Sequence, residues 1–220
     1  YDLPTSIQAN GSGHIACTIE QNRRLNVVVT MPAPSSDPAV NVANFDTAVT
    51  KATGANGYAG TIVFPPGVYK FNATLRVRNK MGLRVIGCGY STHLEFNVSA
   101  GADWVTIEHS QQCAWSDMYL SGAGSGVARA AFAFLRTDTE GSVYAPSQNS
   151  VRNVLVDCMN KAESAVAIAG IDANNDFHSF YDSVFQNYTT RGFDLRYNMQ
   201  SYANQMYNLR LYGGTGALYG

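Results

Sequence analysis

Asp117, Asn153, Asp182 and Asn208 hold the same place in four related stretches of this 220-residue chain: "WSDMYLSG" (115–122), "VRNVLVDC" (151–158), "FYDSVFQN" (180–187) and "MYNLRLYG" (206–213). Each runs as an apolar residue, any residue, Asp or Asn, then mostly alternating apolar positions. Stacked at strand spacing, Asp117 and Asp182 would stand roughly 9–10 Å apart, two repeats away from one another. That is near the upper end of the separation at which inverting glycosidases hold their acid and base. Asp117 and Asp182 are therefore candidate catalytic carboxylates, with Asp157 as a third. The competing reading is an Asx ladder, in which short polar side chains tie turn backbones together and do no chemistry.

Two further rows follow on the same outward face: Tyr119, Leu155, Val184 and Arg210, then Ser121, Asp157, Gln186 and Tyr212. Tyr119, Gln186, Arg210 and Tyr212 are candidate substrate contacts, since rings stack on sugar faces while Gln and Arg bond hydroxyl and acidic groups. The same mixture suits a protein interface. "GIDANNDFHSFYD" (170–182) gathers Asp172, Asn174, Asn175, Asp176 and His178. Its oxygens hint at calcium, but the glycine and terminal glutamate of a calcium-hand loop are missing, so turn chemistry is the expectation. Asp194 with Arg191 and Arg196 reads as a surface ion pair. "GAGSG" (122–126) lacks the Lys-Ser/Thr of a phosphate cradle, and no nucleophile elbow or Cys/His motif occurs. His14 and His109 have no partner pattern. No metal ligands are assigned.

The elements that would position these residues follow from the repeats, which start 36, 29 and 26 residues apart. A second strand-like run follows each: "AAFAFL", "SAVAIAG", "RGFDLR" and "GALYG". One strand-turn-strand unit repeated at this period predicts a β-solenoid. Alternation sends Met118 and Leu120 inward to stack on Val154 and Val156, then on Phe185 where Ser183 breaks the row, then on Leu209 and Leu211. Upstream, "HIACTIE" and "LNVVVTM" read as a β-hairpin over residues 14–31, and Pro32, Pro34 and Pro38 as a linker. Val42, Phe45, Val49 and Ala52 fall at helical spacing before Gly54, predicting a helix over 42–53 that covers the open end of the solenoid. In "GTIVFPPGVYKF" (60–71) the chain leaves that cap and enters the first coil, with Pro65-Pro66 at a corner where no ladder donor is needed.

The segment "FDTAVTKA…GYAGTIVFPPGVYKFNATLRV…MGLRVIGCGYSTHLEF" resembles the entry region of the pectate-lyase-like superfamily of right-handed parallel β-helices. Asp46-Thr47, Gly60-Thr61, Pro65-Pro66-Gly67, Tyr69 and Gly87-Cys88-Gly89 carry the resemblance; a Gly-Asp-Gly before the helix is absent. It implies an all-β, right-handed parallel β-helix at 41–220 behind an N-terminal hairpin and linker at 1–40. It also implies a polysaccharide as partner, and processing by a hydrolase or a lyase, calcium entering only if a lyase. Plant-wall pectinases, epimerases and phage tailspikes share this fold. A tailspike would be a homotrimer, extracellular or virion-associated; a non-catalytic adhesive or structural spike module is the alternative. Because "GTGALYG" opens a strand like those of earlier coils, the polypeptide is expected to continue past Gly220.

Composition narrows the rest. A net charge of −1 with 14% charged residues excludes a phosphate-tracking nucleic-acid surface. The apolar runs are too short to span a bilayer. Cys17, Cys88, Cys113 and Cys158 show no metal spacing and read as small buried hydrophobes, with disulfides the open alternative. Asn10, Asn72, Asn97 and Asn187 head Asn-x-Ser/Thr sequons.

Overall fold

A computed structural model describes residues 27–54, 57–136, 146–170, 175–196, 204–214 and 216–219. The chain is a parallel β-solenoid, with one helix among the described residues. The first coil runs through β2 (Thr61–Val63), β3 (Gly67–Phe71) and β4 (Leu75–Arg78). The next uses β5 (Arg84–Ile86), β6 (Thr92–Phe96) and β7 (Asp103–Glu108), and then β8 (Ala114–Gly122) and β9 (Ala128–Leu135) form a longer pair. β10 (Ser150–Asp157) and β11 (Ala162–Ala169) repeat that pair, followed by β12 (Ser179–Tyr181), β13 (Val184–Tyr188) and β14 (Arg191–Arg196). The last described turn holds β15 (Gln205–Tyr207), β16 (Arg210–Gly213) and β17 (Gly216–Tyr219). Among the described residues one sheet has 11 strands and the other six, in the order β17-β14-β11-β9-β7-β4.

The inward stacking follows alternation. Met118 pairs with Val154 and Leu120 with Val156, Val156 with Phe185, and Phe185 with Leu211. Ser183 takes a core position but is not stranded, since its hydroxyl donates to the Tyr181 carbonyl at 2.7 Å and accepts the Val154 amide at 3.2 Å. Aromatic rings fill the interior. Phe180 meets Phe193 edge-on at 4.9 Å, and Phe96 stacks on Trp104 at 5.3 Å.

Alternation breaks at one place in each coil. Trp115 and Met118 are both fully buried although three residues apart, as are Val151 and Val154. The residue that resets the phase is the Asx: Asp117, Asn153, Asp182 and Asn208 all have left-handed backbone, with φ of 58°, 51°, 49° and 48°. Asn and Asp tolerate that conformation better than other side-chain-bearing residues. The long sheet is thereby folded into two arms, and in the later coils the bend divides the strand into β12 and β13, then β15 and β16. In the first coil, Pro65-Pro66 stands in place of the Asx. Phe64, fully buried, donates its amide to Ile86, and the next amide donor is Gly67, to Ser91 at 2.8 Å. Two residues without an N–H thus sit where the chain turns and the ladder needs none.

The helix, α1, spans Pro38–Ala52 and begins four residues earlier than expected. Pro38 is its first residue rather than part of a linker, and Asp37 caps it by accepting the Ala39 amide at 2.9 Å. Its buried face presents Phe45, Ala48, Val49 and Ala52. Phe45 lies over Phe64 and Trp115, at ring separations of 6.2 and 6.0 Å. The buried Asn41 amide ties α1 to β3 through the Lys70 carbonyl at 2.9 Å. Strand β1 (Val28–Thr30) pairs in parallel with β2, so this part of the expected hairpin joins the solenoid sheet; its other arm lies outside the described residues.

Candidate functional site

The left-handed corner residues form two hydrogen-bonded pairs. The Asn153 amide donates to Asp117 Oδ1 at 2.7 Å, and the Asn208 amide to Asp182 Oδ1 at 3.0 Å. Each carboxylate keeps Oδ2 without a protein partner among the described residues. Asp117, Asn153 and Asp182 line one open depression of about 540 Å³ together with Ser116 and Arg152. A second depression, of about 330 Å³, is lined by Ser150, Arg152, Tyr181 and Asp182. Arg152 and Asp182 border both.

Arg152 was not singled out from the sequence, yet it occupies the centre. It belongs to the outward row just before the corner, Ser116–Arg152–Tyr181–Tyr207, whose members pair in register. Its side chain is exposed and has no ion-pair partner among the described residues. Beside it the Tyr181 hydroxyl donates to Gln205 at 3.0 Å, and Tyr207 is 69% exposed. The signal was present in the repeats as the residue preceding each Asx. An exposed guanidinium beside the Tyr181 ring, in a depression lined by two carboxylates, can hold an acidic or polyhydroxylated ligand by paired hydrogen bonds and ring stacking.

The remaining sequence candidates lie on the second arm, beyond the bend. Asp157 is four residues past Asn153, about 13 Å of strand, and does not line either depression. Its carboxylate accepts from the Met159 amide and the Asn187 side chain through Oδ1, and from Gln186 through Oδ2 at 2.8 Å. Gln186 is therefore engaged with Asp157, while Arg210 and Tyr212 are exposed on the last described rungs. Tyr119 pairs with Leu155 on one side and with His93 on the other. The His93 and Tyr119 rings stack at 4.4 Å with 21° between planes, and His93 Nε2 is 2.6 Å from Ser121 Oγ. Glu95 and Asp157 flank Ser121 in register on either side, and Lys70 pairs with Glu95 at 3.8 Å. Burial holds the His93 imidazole below its usual value against the opposing pull of Glu95. Burial, with Asp157 and Glu95, pushes the Tyr119 phenol up. His93 does not fit the repeat pattern of the sequence, because the insertion "GCGYS" (87–91) displaces its strand from the corner.

The other polar clusters are structural. His178 is fully buried, with Nε2 2.6 Å from Asn175 Oδ1, while the Asn175 amide bonds the carbonyls of Phe134 and Ala169. Asp172 and Asn174 lie outside the described residues. Asp194 is 1% exposed and meets the half-buried Arg191 at 3.4 Å, so only the arginine end of the expected surface pair reaches solvent; the Arg196 side chain is not described. Cys88, Cys113 and Cys158 are free thiols, with Cys113 and Cys158 buried. Asn72, Asn97 and Asn187 are exposed. Among the described residues no group of three His, Cys, Asp or Glu side chains could hold a metal ion. Among them, too, no helix is long and apolar enough to cross a membrane.

No family model matches the chain, and no curated protein matches it. Solved structures with a similar backbone include ORF18 of Geobacillus virus E2, with 15% identity, a TM-score of 0.49 and coverage of 87% of this chain and 43% of that one. The mannuronan C-5 epimerase AlgE6 A-module of Azotobacter vinelandii shows 16% identity, a TM-score of 0.49 and coverage of 84% and 54%. The catalytic unit of the thermostable GH87 α-1,3-glucanase from Streptomyces thermodiastaticus strain HF3-3 shows 14% identity, a TM-score of 0.36 and coverage of 87% and 42%. The chain thus spans 42–54% of the length of these proteins.

Proposed function

We propose that this chain is the polysaccharide-binding β-helix of a carbohydrate-processing protein of the pectate-lyase-like kind. The observation that carries the reading is Arg152, an exposed guanidinium set between two depressions that Asp117, Asp182 and Tyr181 also line. A glycan running along the solenoid axis would meet Ser116, Arg152, Tyr181 and Tyr207 in turn, one per coil. Rings would cover pyranose faces, and Arg152 would take a carboxylate or a pair of hydroxyls.

Cleavage belongs to the proposal as far as Asp117 and Asp182 carry it: two carboxylates two coils apart, each with one oxygen unengaged. Hydrolysis would use one to protonate the leaving oxygen and the other to activate water. In the full-length protein this describes a depolymerase such as a phage tailspike, homotrimeric and extracellular or virion-associated. The second reading, a non-catalytic adhesive or structural spike module, is favoured by the Asn153 and Asn208 amides, which lock both carboxylates into a ladder.

Incubation with a panel of capsular and pectic polysaccharides separates the two. New reducing ends, abolished by Asp117→Asn and by Asp182→Asn, support hydrolysis. Unsaturated uronates that survive both substitutions would move the chemistry elsewhere as a lyase. Retention of a glycan that is never cut supports the adhesive module.

A further inference from the structure

The second arm holds a constellation that glycan binding at Arg152 does not use. Ser121 is 5% exposed, on the outward side of β8. Around it stand His93 from β6, Tyr119 from its own strand, Glu95 from β6 and Asp157 from β10. A serine on a strand face needs only solvent or a main-chain partner. This hydroxyl instead lies 2.6 Å from an imidazole nitrogen, and that imidazole is stacked on the Tyr119 ring at 4.4 Å. We infer that Ser121, with His93 as its base, is the nucleophile of an acyl-transfer site that removes O-acyl groups from a polysaccharide lying on this face.

The identity of the acyl carrier rests on the glycan-binding reading; the chemistry of the dyad does not. Ser121 Oγ attacks the ester carbonyl carbon, and its proton passes to His93 Nε2. The carbonyl π pair moves onto oxygen, and the hydroxyl of Tyr119, two residues before Ser121 on the same face of β8, would donate to that oxyanion. Collapse of the tetrahedral intermediate breaks the bond to the sugar oxygen, which leaves with the proton from His93. Water, deprotonated by His93, then attacks the acyl-serine. The products are a free sugar hydroxyl, a carboxylic acid and the original serine, with no oxidant or other co-reactant.

The surroundings suit the task. A nucleophile needs a base within hydrogen-bond reach that is neutral at working pH. The depressed imidazole supplies it, and the carboxylates of Glu95 and Asp157 favour the imidazolium that forms during attack. The charged and titratable groups facing the imidazole are Tyr119, Glu95, Asp157 and, through its pair with Glu95, Lys70.

The test uses the whole chain, p-nitrophenyl acetate, a panel of O-acetylated polysaccharides and a fluorophosphonate probe. The expected result is acetate release, with a rate that rises with pH to a plateau as His93 loses its proton, and probe mass found on the peptide containing Ser121. Ser121→Ala and His93→Gln should each lower turnover at least about 100-fold, while Tyr119→Phe lowers kcat with little change in KM. His93→Gln serves as the second removal of the dyad if Ser121→Ala fails to fold. The inference is overturned if no acetate appears from any substrate, or if Ser121→Ala and His93→Gln hydrolyse as wild type does. Glycan retention without acetate release sinks this site alone; acetate release from the small ester without any glycan retention sinks the glycan reading alone.

Discussion

Asn153 donates its side-chain amide to Asp117 across one coil at 2.7 Å, and both residues have left-handed backbone. The bond links the two corners at which the long sheet bends. A side chain that can neither take φ near 51° nor reach Asp117 should loosen both coils. Asn153→Val is expected to cost about 2 kcal/mol, combining the left-handed penalty with a lost hydrogen bond. Asn153→Gly should cost less than half as much, because glycine adopts that backbone freely. Urea midpoints of the three proteins check the order.

The cap depends on one ring. Phe45 is fully buried between α1 and the first coils, over Phe64 and Trp115. Phe45→Ala should cost roughly 3–5 kcal/mol and release α1 before the coils melt. A denaturation curve that loses its single transition, with helix signal lost first, would report this. An unchanged midpoint would mean that the helix does not cover the solenoid end.

Acid should destabilise the chain through His178. Burial pushes this imidazole down to about 3, so the folded state stays unprotonated while the unfolded chain binds a proton below about pH 6.5. Stability from this group is therefore intact above pH 6.5 and is lost as the pH falls toward 3, on the order of 4 kcal/mol by the lower limit. His178→Gln should be less stable than wild type at pH 7, with the gap closing as pH is lowered to 4. A gap that stays constant across that range would contradict the assignment.

The solenoid was legible because its core rows are long and regular. Met118, Val154 and their partners alternate over three coils, and nothing but a parallel stack puts an Asx at one place in every unit. The bend was not legible, because alternation on either side of Asp117 reads as one continuous strand until the phase shift between Trp115 and Met118 is noticed. Asp117 and Asp182 line one depression, whereas Asp157 and Gln186 pair with each other on the other arm. Arg152 was hidden by its neighbours in the alignment, where Ser116, Tyr181 and Tyr207 share no charge. His93 was hidden by the insertion ahead of its strand.

The central claim is that Arg152 holds a glycan, and affinity electrophoresis in gels containing acidic polysaccharides tests it most directly. Wild type should be retarded by at least one of them, and Arg152→Ala should lose at least about tenfold in affinity. Lys51→Ala, which removes an exposed cation from the distant face of α1, should be retarded as wild type is. Equal retardation of wild type and Arg152→Ala, or free migration of both through every polysaccharide, would contradict the account.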